Sequence, residues 1–130
     1  MIVGAILVVE DELLILLDLE TALQEAGFEV VTAANAAEAI AAFDAEQDRF
    51  KALVTDIRLG PGQSGWEVAR HVRQANSALP VIYISGDSAV HWGAEGVPES
   101  VMVAKPFALP QIITALATLL NAQPPPQAAT

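Results

Sequence analysis

Short apolar runs recur along the chain. Each is followed by a polar break and a longer segment with apolar positions three or four apart. AILVV (5–9) predicts a strand, and DELLILLDLETALQEAG (11–27) predicts a helix closed by Gly27, a residue suited to the left-handed conformation that ends helices. FEVVTA (28–33) reads as the second strand. NAAEAIAAFDAEQ (35–47) reads as a second helix, capped by Asn35, with Ala37, Ile40, Ala41 and Phe43 as its apolar positions. KALVTD (51–56) is the third strand, and Trp66, Val68, Ala69 and Val72 mark a third helix running to about Asn76. LPVIYIS (79–85) is the fourth strand, with Pro80 where a strand start tolerates a missing N–H.

From Gly86 to Glu99 the pattern weakens, because Gly86, Gly93, Gly96 and Pro98 leave room for only about a turn of helix around Ser88 to Trp92. SVMVA (100–104) is the fifth strand. LPQIITALATLLN (109–121) is a helix with Pro110 in its first turn and Ile112, Ile113, Leu116, Leu119 and Leu120 on its apolar face. Residues 1–121 therefore read as one domain, and 122–130 as a disordered Pro-rich tail. Strands that are almost wholly apolar, alternating with helices, imply a parallel sheet covered on both faces. In such sheets the chemistry gathers at the carboxyl ends of the strands, near the switch in strand order.

Composition narrows the function. With 53% hydrophobic residues in 130, the chain can fill one core. Sixteen acids against six bases give a formal charge of −10, which repels a phosphate backbone or an anionic membrane surface. Absence of cysteine excludes disulfides, thiol nucleophiles and Cys-ligated zinc. MIVGAILVV lacks a basic n-region and runs straight into acids, so it reads poorly as a signal peptide. No apolar run approaches the ~20 residues a membrane-spanning helix needs. A cytoplasmic protein is expected, with neither nucleic acid nor membrane as a partner.

Polar residues terminate the strands: Glu10, Asp11 and Glu12 after the first, Asp56 after the third, Ser85 after the fourth, Lys105 after the fifth. An aspartate at the end of LVTD helps neither strand propensity nor burial. Two unit charges ~5 Å apart repel by ~3 kcal/mol at an effective dielectric of ~20, so crowded carboxylates there call for a cation. A hard ion such as Mg²⁺ suits oxygen ligands, and Glu10 and Asp11 can supply an acidic pocket. Lys105 is one of two lysines, set in the apolar VMVAKPF; its ammonium is expected to reach the same pocket and pair with Asp56.

The acidic pair, the strand-three aspartate, the strand-four hydroxyl and the Lys105-Pro106 dipeptide occur in order at the right strand ends. Over residues 3 to 121 the chain resembles the receiver domain of two-component response regulators. The resemblance implies a flavodoxin-like, doubly wound five-stranded parallel sheet, here with a short or irregular fourth helix. It implies that Asp56 is a nucleophile accepting a phosphoryl group from a histidine kinase or phosphotransfer protein. Mg²⁺ would be held by Asp11, Asp56 and the backbone carbonyl of Arg58, with Glu10 nearby, and Ser85 and Lys105 would sense the phosphoryl group. Read this way the chain is a stand-alone phosphoacceptor with no output domain, not an enzyme, signalling by protein contact or acting in a phosphorelay.

Some positions depart from that pattern. Met102 stands where the family usually has an aromatic residue, while Tyr83 reads as core. Arg58, two places past Asp56, reads either as a shield of the phosphoryl group or partner contact, or as a surface arginine. Asp87 reads either as an influence on phosphoryl lifetime or as an N-cap of the fourth helix. The reduced DSAVHWGAEGVPES region argues against a dimer on that face. LLILLDL is more apolar than one buried stripe requires, so Leu13, Leu16 and Leu17 form either a kinase-docking face or a wide core face. Trp66 reads as packing, and His71 and His91 as surface residues without metal-ligand spacing. Two other functions compete. A constitutive interaction module would not need the full acid, hydroxyl and lysine set. An aspartate-nucleophile phosphatase would need an acid where Arg58 stands.

Overall fold

The computed structural model describes residues 4–87 and 91–121. The elements are β1 (Ala5–Val9), α1 (Leu13–Glu25), β2 (Glu29–Ala33), α2 (Ala36–Ala45), a 3-10 turn at Gln47–Arg49, β3 (Phe50–Asp56), α3 (Gly65–Ala75), β4 (Val81–Ser85), α4 (Trp92–Glu95), β5 (Val101–Ala104) and α5 (Leu109–Asn121). The five strands form one parallel sheet in the order β2-β1-β3-β4-β5. This is the flavodoxin-like arrangement, with the reversal of strand order between β1 and β3.

Strand alternation divides the core. Ala5, Leu7, Val9, Leu53 and Tyr83 pack with Ala36, Ala39 and Phe43 of α2 and Val68, Ala69 and Val72 of α3. Ile6, Val8, Val54, Ile82 and Ile84 pack on the other face with Leu16, Leu19 and Leu23 of α1 and Ile112 and Leu116 of α5. Each of these larger side chains contributes about 1.5 to 3 kcal/mol by leaving water.

The helix boundaries have local causes. Asn35 Oδ1 accepts from the Glu38 amide at 2.9 Å while Glu38 Oε1 accepts from the Ala34 amide at 3.0 Å, a reciprocal cap. Gly27, at φ +99°, takes the left-handed turn after α1. The helix expected over 11–27 begins only at Leu13, because Glu12 keeps an extended backbone and its amide is used by the Glu10 carboxylate at 3.2 Å.

Two expectations need correction. The buried face of α2 is Ala36, Ala39 and Phe43; Ala37 and Ala41 are exposed and Ile40 is half-buried. In an alanine-rich helix several registers look equally apolar, so spacing alone does not select one. The short fourth helix is Trp92–Glu95, just after the expected span around Ser88 to Trp92; residues 88–90 and the tail 122–130 lie outside the described residues. Arg70 pairs with Glu95, and Trp92 Nε1 donates to Ser100 Oγ at 2.9 Å, so this single turn is anchored at both ends.

Candidate functional site

Three strand ends converge where the sheet reverses its order. Glu10 follows β1, Asp56 ends β3 and Lys105 follows β5. The three continue the alternation of Val8, Val54 and Val103 and so project toward the same side of the sheet edge. Asp56 is buried, with Oδ1 accepting from the Ile57 amide at 2.8 Å and Oδ2 facing Lys105 Nζ at 3.1 Å. Thr55 Oγ1 donates to the Asp56 carbonyl at 2.8 Å, which holds the main chain at the end of β3.

The loop beyond Asp56 closes tightly onto it. The Gly65 amide donates to the Ile57 carbonyl at 2.9 Å, and a Cβ at Gly65 would meet the Asp56 carbonyl oxygen at 2.0 Å. Glycine is therefore required for α3 to start this close to β3.

Glu10 is fully buried and Lys105 bridges it to Asp56. Lys105 Nζ lies 3.0 Å from Glu10 Oε1 and 3.4 Å from Glu12 Oε1. Burial, then the neighbouring Asp56, push the Glu10 carboxyl up to about 7, with Lys105 pulling the other way. Burial by itself would lower the Lys105 ammonium, but hydrogen bonds to Glu10 and Asp56 outweigh it and raise it overall.

Ser85 sits opposite. Its Oγ accepts from the Asp87 amide at 3.2 Å, and its carbonyl accepts from the Lys105 amide at 2.8 Å, tying the ends of β4 and β5 together. A cleft of about 410 Å³ is lined by Asp11, Glu12, Asp56, Arg58, Ser85, Gly86, Asp87 and Lys105, with Glu10 adjoining Asp56 and Lys105.

Every candidate site residue thus falls in one place: Glu10, Asp11, Asp56, Arg58, Ser85 and Lys105. Oxygen atoms of Glu10, Asp11 and Asp56 lie within 4.8 Å of one another. The donor set is all carboxylate oxygen, and the buried Glu10 Oε1 is already paired with one cation, the Lys105 ammonium at 3.0 Å. Both observations fit a hard divalent cation.

Some contacts were not foreseen. Glu12 supplies Lys105 with a third carboxylate, and Arg58 pairs with Asp87 at 2.8 Å across the cleft mouth. Neither leaves a signature in sequence, since the partners are 93 and 29 residues apart (105 − 12 and 87 − 58). Asp87 is not the N-cap of the fourth helix, because that position, directly before Trp92, is held by His91.

Leu16 is buried at 7% exposure, so it belongs to the core and not to a docking face. Leu13, Leu17 and the unforeseen Leu14 are exposed by 64%, 46% and 78%. A helix stripe facing the sheet takes Leu16, Leu19 and Leu23 and leaves the others outside. Tyr83 is core, as expected: its ring lies 4.7 Å from that of Trp66, and its hydroxyl accepts from the Val97 amide at 3.0 Å. Met102 is its register partner on β5. His91 is exposed, whereas His71 is half-buried and pairs with Asp44 at 2.7 Å, joining α3 to α2.

Comparison with known proteins gives a consistent picture. A family model described as the response regulator receiver domain matches residues 6–117. The transcriptional regulatory protein PrrA of Mycobacterium tuberculosis is 33% identical over 118 residues, covering 89% of this chain and 49% of that protein. The chain thus spans about half the length of the curated relatives it matches. A crystal structure of a response regulator receiver protein from Sinorhizobium medicae superposes with a TM-score of 0.88 at 41% identity, covering 92% of this chain and 95% of that one. Chemotaxis protein CheY4 of Vibrio cholerae superposes with a TM-score of 0.80 at 26% identity, covering 91% and 99%.

Proposed function

Because the chain belongs to the response regulator receiver domain family, we propose that Asp56 is its phosphoacceptor, taking a phosphoryl group from a histidine kinase or a phosphotransfer protein. The observation that carries this reading is the placement of Asp56: a buried carboxylate at the strand-order switch, held by the Ile57 amide and faced by Lys105 and the Glu10–Asp11 pair.

In the step proposed, an Asp56 carboxylate oxygen attacks the donor's phosphorus. The O–P bond forms as the donor's N–P bond breaks, and the electron pair leaves on the imidazole nitrogen, which takes up a proton. Asp11, Asp56 and the Arg58 carbonyl, with Glu10 alongside, would hold a divalent cation such as Mg²⁺, which would supply charge neutralisation for the phosphoryl oxygens. Lys105 supplies an ammonium on the same side. Ser85, which bridges β4 and β5, is the donor through which added charge reaches the β4 loop.

The kinase or phosphotransfer partner is proposed to dock on the exposed Leu13, Leu14 and Leu17, which adjoin Glu12 at the cleft rim. The −10 charge supports a signal read by protein contact or passed along a relay, and opposes direct DNA contact. Among the described residues no helix is long and apolar enough to cross a membrane. Residues 1–121 are the receiver and 122–130 an appended segment. A chain cut after Asn121 should therefore accept phosphoryl groups as the full chain does, read by intact mass.

Incubation with Mg²⁺ and acetyl phosphate should add one phosphoryl group to the intact mass. The gain should vanish in Asp56→Asn and after chelation. A folded protein that never gains the group would sink the reading, and the exposed α1 leucines would then favour a constitutive interaction module.

A further inference from the structure

Lys105 meets three carboxylates where one was expected: Glu10 at 3.0 Å, Asp56 at 3.1 Å and Glu12 at 3.4 Å. Two of them, Glu10 and Asp56, belong to the acidic cluster whose oxygens converge within 4.8 Å. The same oxygens cannot serve an ammonium and a divalent cation equally well, since two cations held against one carboxylate pair repel each other. Occupation of the cluster by metal therefore requires Lys105 to give up much of its present contact.

What lies within reach decides where the ammonium goes. Its side chain is only 18% exposed, and a half-buried ammonium without a counter-charge is costly. Glu12 is the third carboxylate and stands outside the converging cluster, its side chain 64% exposed at the rim. Its backbone is already fixed, because the Glu12 amide donates to Glu10 Oε2. Glu12 and Lys105 are also the two residues shared by the cleft over Asp56 and a second groove, of about 640 Å³, between α1 and the β5–α5 loop. The pair forms the wall between these depressions. A small outward movement of the ammonium along that wall leaves Asp56 and Glu10 while keeping Glu12. Asp18, which lines the second groove, is the other acid on that side.

We propose that Glu12 is a positioning residue for Lys105, holding the ammonium at the cleft rim while Glu10 and Asp56 are given over to a divalent cation. The inference rests on the metal reading of the acidic cluster given above. It makes Lys105 a mobile counter-charge with two stations, an inner one on Glu10 and Asp56 and an outer one on Glu12. From the outer station the ammonium is close enough to return when charge is added to Asp56.

Titration with Mg²⁺ alone, by calorimetry and by NMR of the lysine side chains, tests this without any phosphodonor. With Lys51 and Lys105 the only lysines in the sequence, the ammonium signals are assignable by one substitution. Lys105→Met should tighten Mg²⁺ binding several-fold, since no ammonium has to be displaced. Glu12→Gln should weaken it by roughly 3-fold in the wild-type background and leave it nearly unchanged in the Lys105→Met background, a coupling that a double-mutant cycle isolates. Glu12→Asp should recover part of the loss, while Asp18→Asn should not imitate it. The Lys105 signal should move on adding Mg²⁺, and to a different end point in Glu12→Gln. An equal loss in both backgrounds would reduce Glu12 to a general negative charge and overturn the inference, as would an unmoved Lys105 signal. Absence of Mg²⁺ binding in every variant would overturn the metal reading itself, and the inference with it.

Discussion

Glu10 is a fully buried carboxylate. Burial and the facing Asp56 carboxylate push it up to about 7 from an ordinary 4.5. In the metal-free protein the folded state therefore keeps a proton that the unfolded chain has released over that interval. Stability from this group is fully present below about pH 4.5 and is lost as the pH rises through about 7. The full effect is on the order of 3 kcal/mol, since one pKa unit is about 1.4 kcal/mol. Glu10→Gln, which cannot ionise, should be more stable than wild type without metal near pH 8 and similar near pH 5, when both are melted across that range. An unchanged difference across the range would show that Glu10 is not the titrating group. Added Mg²⁺ should shrink the difference, because it favours the charged carboxylate that glutamine cannot provide.

The elements around the cleft differ in what they contribute. Helix α1 serves two purposes along one sequence: Leu16, Leu19 and Leu23 fill the core, and Leu13, Leu14 and Leu17 face outward. Leu16→Ala should cost about 2 to 5 kcal/mol in denaturant unfolding. Leu14→Ser should leave stability within about 0.5 kcal/mol and instead slow phosphoryl transfer from a protein donor, while transfer from acetyl phosphate stays unchanged. Equal slowing with both donors would place Leu14 in the acceptor chemistry and not in docking. The loops after β3 and β4 meet through Arg58 and Asp87, both largely exposed. Such a pair is worth at most about 1 kcal/mol, so Arg58→Ala should barely change the unfolding midpoint. It should shorten the lifetime of the phosphorylated form several-fold, measured by loss of label after donor removal, because the guanidinium stands between the cleft and water.

At the scale of the whole molecule the acidic cluster is a repulsion that the fold bears and a cation relieves. Saturating Mg²⁺ should raise the Tm, by about 2.7 kcal/mol of added stability at a hundred times Kd, and Asp11→Asn should remove most of that rise. The order of elements, the parallel sheet and the set of strand-end residues were legible in the sequence because they depend on near-neighbour facts: apolar runs, cap residues and breaks. The strand AILVV and the helix 109–121 match the expectation residue for residue. The register of α2 was not legible, since alanine at most positions gives several faces the same hydrophobicity, and contact with the sheet chose among them. Nor could sequence separate Leu16 from Leu13 and Leu17, because a stripe of leucines carries no mark of which way the helix is rolled. Asp56, Glu10 and Lys105 could be gathered in advance because strand ends in such a sheet share an edge. By itself, then, the sequence determined the fold and which chemistry collects at that edge. The third carboxylate on Lys105 and the Arg58–Asp87 bridge were decided only by tertiary structure, because long-range charge contacts depend on loop paths and side-chain reach that no local spacing encodes.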